Sequence, residues 1–145
     1  MRKKILIVED NTELLELMRS NLRQAGFATM AATNGLDALK KARSGSPDLI
    51  LLDLVLPELD GFAVCEHLRR DPATAATPVI MLTGLTSAMT RYAGMESGAN
   101  EYVTKPASLA HLVSRIEHWL RTQPGDKPQE TKPGSEAERA MTATD

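Results

Sequence analysis

The chain has 145 residues, 42% of them hydrophobic and 25% charged, with a formal net charge of -2 and a pI of about 5.9. That is the size and apolar content of one domain whose core needs no covalent staples, and its faintly acidic balance supplies no basic groove for nucleic acid or an anionic membrane. A single cysteine, Cys65, excludes an internal disulfide and a cysteine metal site, and no apolar run nears the roughly 18 residues of a membrane span, so a reducing compartment, the cytoplasm, is expected.

After Arg2-Lys3-Lys4, the run Ile5 to Val8 is a short buried strand rather than a signal peptide. Glu9-Asp10-Asn11 follows, a cluster able both to cap a helix and to present carboxylates. Leu15, Met18 and Leu22, spaced by three and four, predict an amphipathic helix over Thr12 to Ala25 that Gly26 stops. Phe27 to Thr33 is a weak strand, and Asn34-Gly35 turns into a second helix bearing Leu36, Leu39 and Ala42, which ends over Ser44 to Pro47.

Leu49 to Leu52 is continuously apolar and too short for a typical helix, so it reads as a strand buried on both faces, as in a parallel sheet. An ionised carboxylate inside such a sheet is costly, which places Asp53 at the strand's carboxyl end, where open α/β sheets bind ligands. Pro57 forbids continuation of the strand, and Asp60-Gly61 supplies a turn and a helix start before a helix from about Phe62 to Arg70, broken by Asp71-Pro72.

A loop over Ala73 to Thr77 leads to the apolar run Pro78 to Leu82, closed by Thr83-Gly84. Ser87 to Ser97 is a poor helix with a thin apolar stripe and Gly94 inside it, and is expected to be mobile. Gly98 ends it. Glu101 to Thr104 makes the last strand, Lys105-Pro106 breaks that strand, and Leu109, Leu112, Val113, Ile116 and Leu120 pattern a final helix. From Gln123 on, prolines and glycines among polar residues leave little to bury, so 123–145 is expected to be a disordered tail or linker after a domain of residues 1–122.

Five strand-then-helix units imply parallel strands, right-handed crossovers and helices on both faces. The strand ends after Val8, Leu52, Leu82 and Thr104 then share one edge, where Glu9, Asp10, Asp53, Thr83 and Lys105 converge. Carboxylates this close need compensation, and for oxygen-only ligands that is a hard divalent cation such as magnesium. A cation, a lysine and a hydroxyl around a lone aspartate suit the transfer of a phosphoryl group to or from that carboxylate.

In combination, Glu9-Asp10, Asp53 with Pro57 and Asp60-Gly61, Thr83, and Lys105-Pro106 resemble the receiver domains of two-component response regulators, over roughly Lys3 to Arg121. The resemblance implies an α/β, flavodoxin-like (βα)5 three-layer sandwich with a five-stranded parallel sheet in the order 2-1-3-4-5. It implies that Asp53 takes a phosphoryl group from a histidine kinase or histidine phosphotransfer protein, forming an acyl phosphate. Magnesium would be held by Asp10, Asp53 and the backbone carbonyl of Val55, with Glu9 acting largely through water. Lys105, Thr83, Gly84 and Val55 would bind the phosphoryl group, Tyr102 would be the aromatic switch, and the Lys105-Pro106 bond would be cis.

The resemblance also implies a signalling surface running from the Ser87 to Ser97 helix through the last strand to the final helix. Its partner would be a downstream effector protein or domain, or a second copy in a phosphorylation-dependent homodimer; no external substrate is turned over. Ala107 departs from the phenylalanine common in DNA-binding relatives. Val55 and Leu85, two residues beyond Asp53 and Thr83, are apolar; in the family these positions flank the attacking water, so the resemblance implies slow self-hydrolysis.

Two other functions compete. In one the fold is a constitutive interaction module that accepts no phosphate. In the other it is a phosphohydrolase, whose second carboxylate is replaced by Val55. Residue by residue, Glu9-Asp10 could cap a helix, Asp60-Gly61 could be turn chemistry alone, Thr83 a plain strand residue, Tyr102 a core ring and Lys105 a solvated charge. Cys65 and Trp119 read as packing residues, and His67, His111 and His118 as exposed.

Overall fold

A computed structural model describes residues 2–84, 92–93, 95–121 and 129–131. The chain alternates through β1 (Lys4–Val8), α1 (Thr12–Gln24), β2 (Ala28–Ala32), α2 (Gly35–Gly45), β3 (Leu49–Asp53), α3 (Gly61–Arg70), β4 (Val79–Thr83), β5 (Glu101–Thr104), α4 (Leu109–Arg121) and β6 (Gln129–Thr131). Every pairing is parallel. The sheet order is β2-β1-β3-β4-β5-β6, so the expected 2-1-3-4-5 flavodoxin-like order is found with one strand added.

The five expected strands are thus in place, and the sixth comes from the segment 123–145 that was expected to be a disordered tail or linker. Gln-Glu-Thr has no apolar alternation to announce a strand, yet the edge of β5 offers it unpaired backbone groups. The rest of 123–145 lies outside the described residues, as does most of the mobile helix expected over Ser87 to Ser97. Of that segment, residues 92–93 and 95–96 are helical, and Gly98 turns the chain at φ +108°.

Strand side chains alternate between two cores. Leu6, Val8, Ile50, Leu52, Val79, Met81 and Tyr102 pack with Ala38 and Ala42 of α2 and Val64, Cys65 and Leu68 of α3. Ile5, Ile7, Leu49, Leu51, Ile80, Leu82 and Val103 pack with Leu15 and Leu22 of α1 and Leu112, Ile116 and Trp119 of α4. The period of two along each strand thus fixes three layers, and continuous apolar runs are what a sheet covered on both faces requires.

The helices after β1, β2 and β3 start by the same device. Asn11 accepts from Leu14 N–H, Asn34 from Asp37 N–H and Asp60 from Ala63 N–H, so each cap holds a first turn close to the carboxyl edge of the sheet. Asp60 is therefore turn and cap chemistry. At Gly61 a Cβ would meet the Asp53 carbonyl oxygen at 2.6 Å and Leu54 Cα at 2.8 Å. Only glycine lets α3 start this close to the end of β3.

Candidate functional site

At the carboxyl edge β1 runs out into Glu9, β3 ends in Asp53, β4 ends in Thr83 and β5 runs out into Lys105. Asp53 is 8% exposed and Glu9 4%, while Asp10 is exposed. Carboxylate oxygens of Glu9, Asp10 and Asp53 all lie within 4.8 Å of one another. Lys105 Nζ donates to Glu9 Oε1 at 3.0 Å and to Asp53 Oδ2 at 3.5 Å. Its backbone N–H donates to the Thr83 carbonyl at 2.8 Å, and the Lys105-Pro106 bond is cis.

Backbone donors hold the two buried acids. Asn11 N–H donates to Glu9 Oε2 at 3.1 Å, and Val55 N–H to Asp53 Oδ1 at 3.2 Å. Glu9 and Asp53 are thereby aimed inward, leaving Asp10 at the rim. Burial pushes the Asp53 carboxyl above its ordinary value; Lys105 and the Val55 N–H pull it back, and the nearby Glu9 charge adds to the rise. For Lys105 burial pulls downward, but the hydrogen bond to Glu9 and the charges of Asp53 and Glu9 outweigh it, so the ammonium is held above its ordinary value. The two directions have different sources: burial raises the Asp53 carboxyl, while the two acids that Lys105 faces raise its ammonium.

This donor set fits a hard divalent ion. All three side chains offer carboxylate oxygens, one stands at the solvent edge, and the acids outnumber the ammonium that faces them.

The convergence expected of Glu9, Asp10, Asp53 and Lys105 is thus present. Thr83 is 1% exposed at the end of β4, beside Thr104 in the β5 register, and Gly84 follows it at the surface. Val55 is 59% exposed next to the site. Tyr102 is not at the acidic rim: it is fully buried on β5 in the α2–α3 core. Cys65 and Trp119 are packing residues as expected. His67 is exposed, but His111 and His118 are half-buried, a correction: α4 turns both partly toward its neighbours, and the His118 ring meets Trp119 edge-on at 4.9 Å.

Sequence reasoning missed a second buried charge. Glu101 is 0% exposed and takes Nε of Arg115 at 2.9 and 2.8 Å and the Trp119 indole N–H at 2.6 Å. Arg115 and Trp119 stand four apart on α4, a same-face spacing that could have signalled a shared partner. It also missed Arg69, which donates to the carbonyls of Gly98, Ala75 and Thr77 and to Asn100 Oδ1, pinning the approaches to β4 and β5 onto α3.

Residues 5–117 match the response regulator receiver domain family. The chain belongs to that family. This receiver domain is 42% identical over 118 residues to the DNA-binding dual master transcriptional regulator RpaA of Synechocystis sp., covering 81% of this chain and 49% of RpaA. It is 40% identical over 121 residues to the alkaline phosphatase synthesis transcriptional regulatory protein PhoP of Bacillus subtilis, covering 83% of this chain and 50% of PhoP. The chain thus spans about half the length of these relatives. It is also similar to the receiver domain of the sensor histidine kinase PA1611 from Pseudomonas aeruginosa, with a TM-score of 0.79 and 29% identity over 84% of this chain and 100% of that one. That structure has a magnesium ion coordinated in its active-site cleft. In the receiver domain described here, no helix among the described residues is long and apolar enough to cross a membrane.

Proposed function

We propose that this receiver domain is a phosphorylation-activated switch of a two-component or phosphorelay system, in which Asp53 accepts the phosphoryl group of a phosphohistidine on a histidine kinase or histidine phosphotransfer protein. The observation that carries this reading is the setting of Asp53: buried at a strand end, with two further carboxylates within 4.8 Å and an ammonium at 3.5 Å. A carboxylate oxygen of Asp53 attacks phosphorus, and the new O–P bond forms as the N–P bond of the donor breaks, returning its electron pair to the imidazole nitrogen.

Asp10, Asp53 and the backbone carbonyl of Val55 would hold magnesium, with Glu9 acting largely through water. When bound, the ion neutralises charge on the carboxylates and the phosphoryl oxygens. Lys105 shifts from Glu9 to a phosphoryl oxygen, while the Thr83 hydroxyl and the backbone N–H groups of Gly84 and Val55 donate to the others. The product adds about -1.5 to -2 charges and three acceptors, enough to draw in mobile donors. Tyr102, on the strand that leads into Lys105, carries that shift to the output surface.

Residues 1–122 are taken as the receiver and 123–145 as a tail or linker. The surface that changes runs from the segment Ser87 to Ser97 over β5 to α4, and its partner is a downstream effector protein or domain or a second copy of the receiver. Direct contact with nucleic acid is not part of this reading, since the chain carries net charge -2; DNA binding is named for RpaA, of which about half is matched. The working compartment is the cytoplasm, where such donors act.

Incubation with magnesium and acetyl phosphate tests the proposal by intact-mass spectrometry. One phosphoryl group is gained by the natural chain and none by Asp53→Ala or without the metal. A chain that gains nothing is the constitutive module instead.

A further inference from the structure

The two sides of the sheet are finished differently. β2, the edge strand on one side, has four half-buried residues and one buried one. β5, with which the expected five-stranded sheet would end, has all four residues buried. Its outer edge is taken by β6 in the register Glu101↔Gln129, Tyr102↔Glu130 and Val103↔Thr131. A receiver sheet that ended at β5 would leave a row of backbone N–H and C=O groups open there, the usual template for pairing with another chain.

We propose that residues Gln129–Thr131 are a built-in ligand of the β5 edge: a strap from the chain's own C-terminal segment that occupies, by strand addition, the middle of the output surface, so that a partner reaches that surface only when the strap leaves. The words "output surface" rest on the function proposed above; the occupancy of the edge does not. Strand addition takes its affinity from main-chain hydrogen bonds and its specificity from side-chain pockets. Here the sequence, Gln-Glu-Thr, brings no apolar residue, so the register is weakly specified. Pro128 and Pro133 bracket the segment in sequence and bring no N–H with which to lengthen the ladder. A contact that short is displaceable, as an occluding element must be. Its central pair joins Glu130 to Tyr102, so the strap lies on the strand that carries the proposed aromatic switch.

Two variants of the full chain remove every N–H of the strap between them: Glu130→Pro, and Gln129→Pro with Thr131→Pro. Amide exchange is followed by NMR without phosphate donor or magnesium, so the outcome is independent of Asp53 chemistry. The amides of Glu101 to Val103 that face β6 are expected to exchange about tenfold or more faster in at least one variant, with the melting temperature unchanged. A labelled peptide spanning residues 126–134 is expected to bind that variant about tenfold or more tighter than the natural chain, whose edge is already filled. Equal exchange in all three proteins, or equal peptide binding by natural chain and variants, overturns the proposal. Failure of acetyl phosphate to label Asp53 would instead strike the functional reading and leave the strap standing.

Discussion

The Lys105 ammonium lies 3.0 Å from Oε1 of Glu9, a residue 96 positions earlier in the chain. The contact to Asp53 is longer, 3.5 Å, so in this state the lysine is anchored chiefly by the residue next to Asp10 and stands ready to be shared.

Removing that ammonium by Lys105→Met leaves two buried carboxylates facing each other. The cost is about 2 kcal/mol, below that of breaking a fully buried pair because solvent screens a partly exposed lysine; the Lys105 side chain is 28% exposed. Urea unfolding measures it, and an unchanged midpoint would show that the pair contributes nothing.

Asp53→Asn should make the unphosphorylated protein more stable at neutral pH by about 1 kcal/mol, while abolishing phosphorylation. Burial raises the folded-state pKa of Asp53 above its unfolded value of 3.8. A raised group contributes stability that is fully present below the unfolded value and is lost as pH rises through the folded one. Lys105, also raised, loses its contribution only at alkaline pH, above its ordinary 10.5. Melting curves from pH 3 upward should therefore decline for the natural chain relative to the asparagine variant; parallel curves would refute the assignment.

Magnesium should raise the melting temperature by mass action, by the equivalent of about 2.7 kcal/mol at a hundred times the dissociation constant. Asp10→Asn is the cleanest control, because Asp10 is exposed and its neutralisation disturbs no packing. Affinity should weaken as pH falls and Asp53 gains its proton. Calorimetry that finds equal binding by the natural and Asp10→Asn proteins would remove the rim acid from the ligand set.

Glu101→Gln leaves the Arg115 guanidinium beside a neutral amide in a site where the acid is 0% exposed. A loss of about 3 kcal/mol is expected. Trp119, the one tryptophan in the chain and a donor to Glu101 at 2.6 Å, reports the change through its emission during guanidinium unfolding. A destabilisation under about 1 kcal/mol would mean that the charge of Glu101 is dispensable.

The acyl phosphate should be long-lived, since Val55 presents an exposed apolar side chain beside Asp53 and Leu85 follows Thr83 by two residues. Replacing them by Val55→Asn and Leu85→Glu should shorten the lifetime about tenfold or more by giving water a hydrogen-bonding partner. Equal decay of the two phosphoproteins would count against steric and apolar exclusion of water.

Much of the architecture was legible because its signals are local. Apolar runs of four or five residues ending in acids, a threonine and a lysine, each followed by a cap and a helical stripe, dictate strand-helix alternation. That alternation alone brings Glu9, Asp53, Thr83 and Lys105 to one edge, since parallel strands all end on the same side. What the sequence could not announce is pairing between residues remote in the chain. The hold of Glu9 on Lys105, the burial of Glu101 between Arg115 and Trp119, the half-burial of His111 and the addition of Gln129–Thr131 to β5 depend on which helix faces and strand edges meet. Those choices follow from packing and from backbone groups in need of partners, and neither leaves a periodic mark in a single sequence.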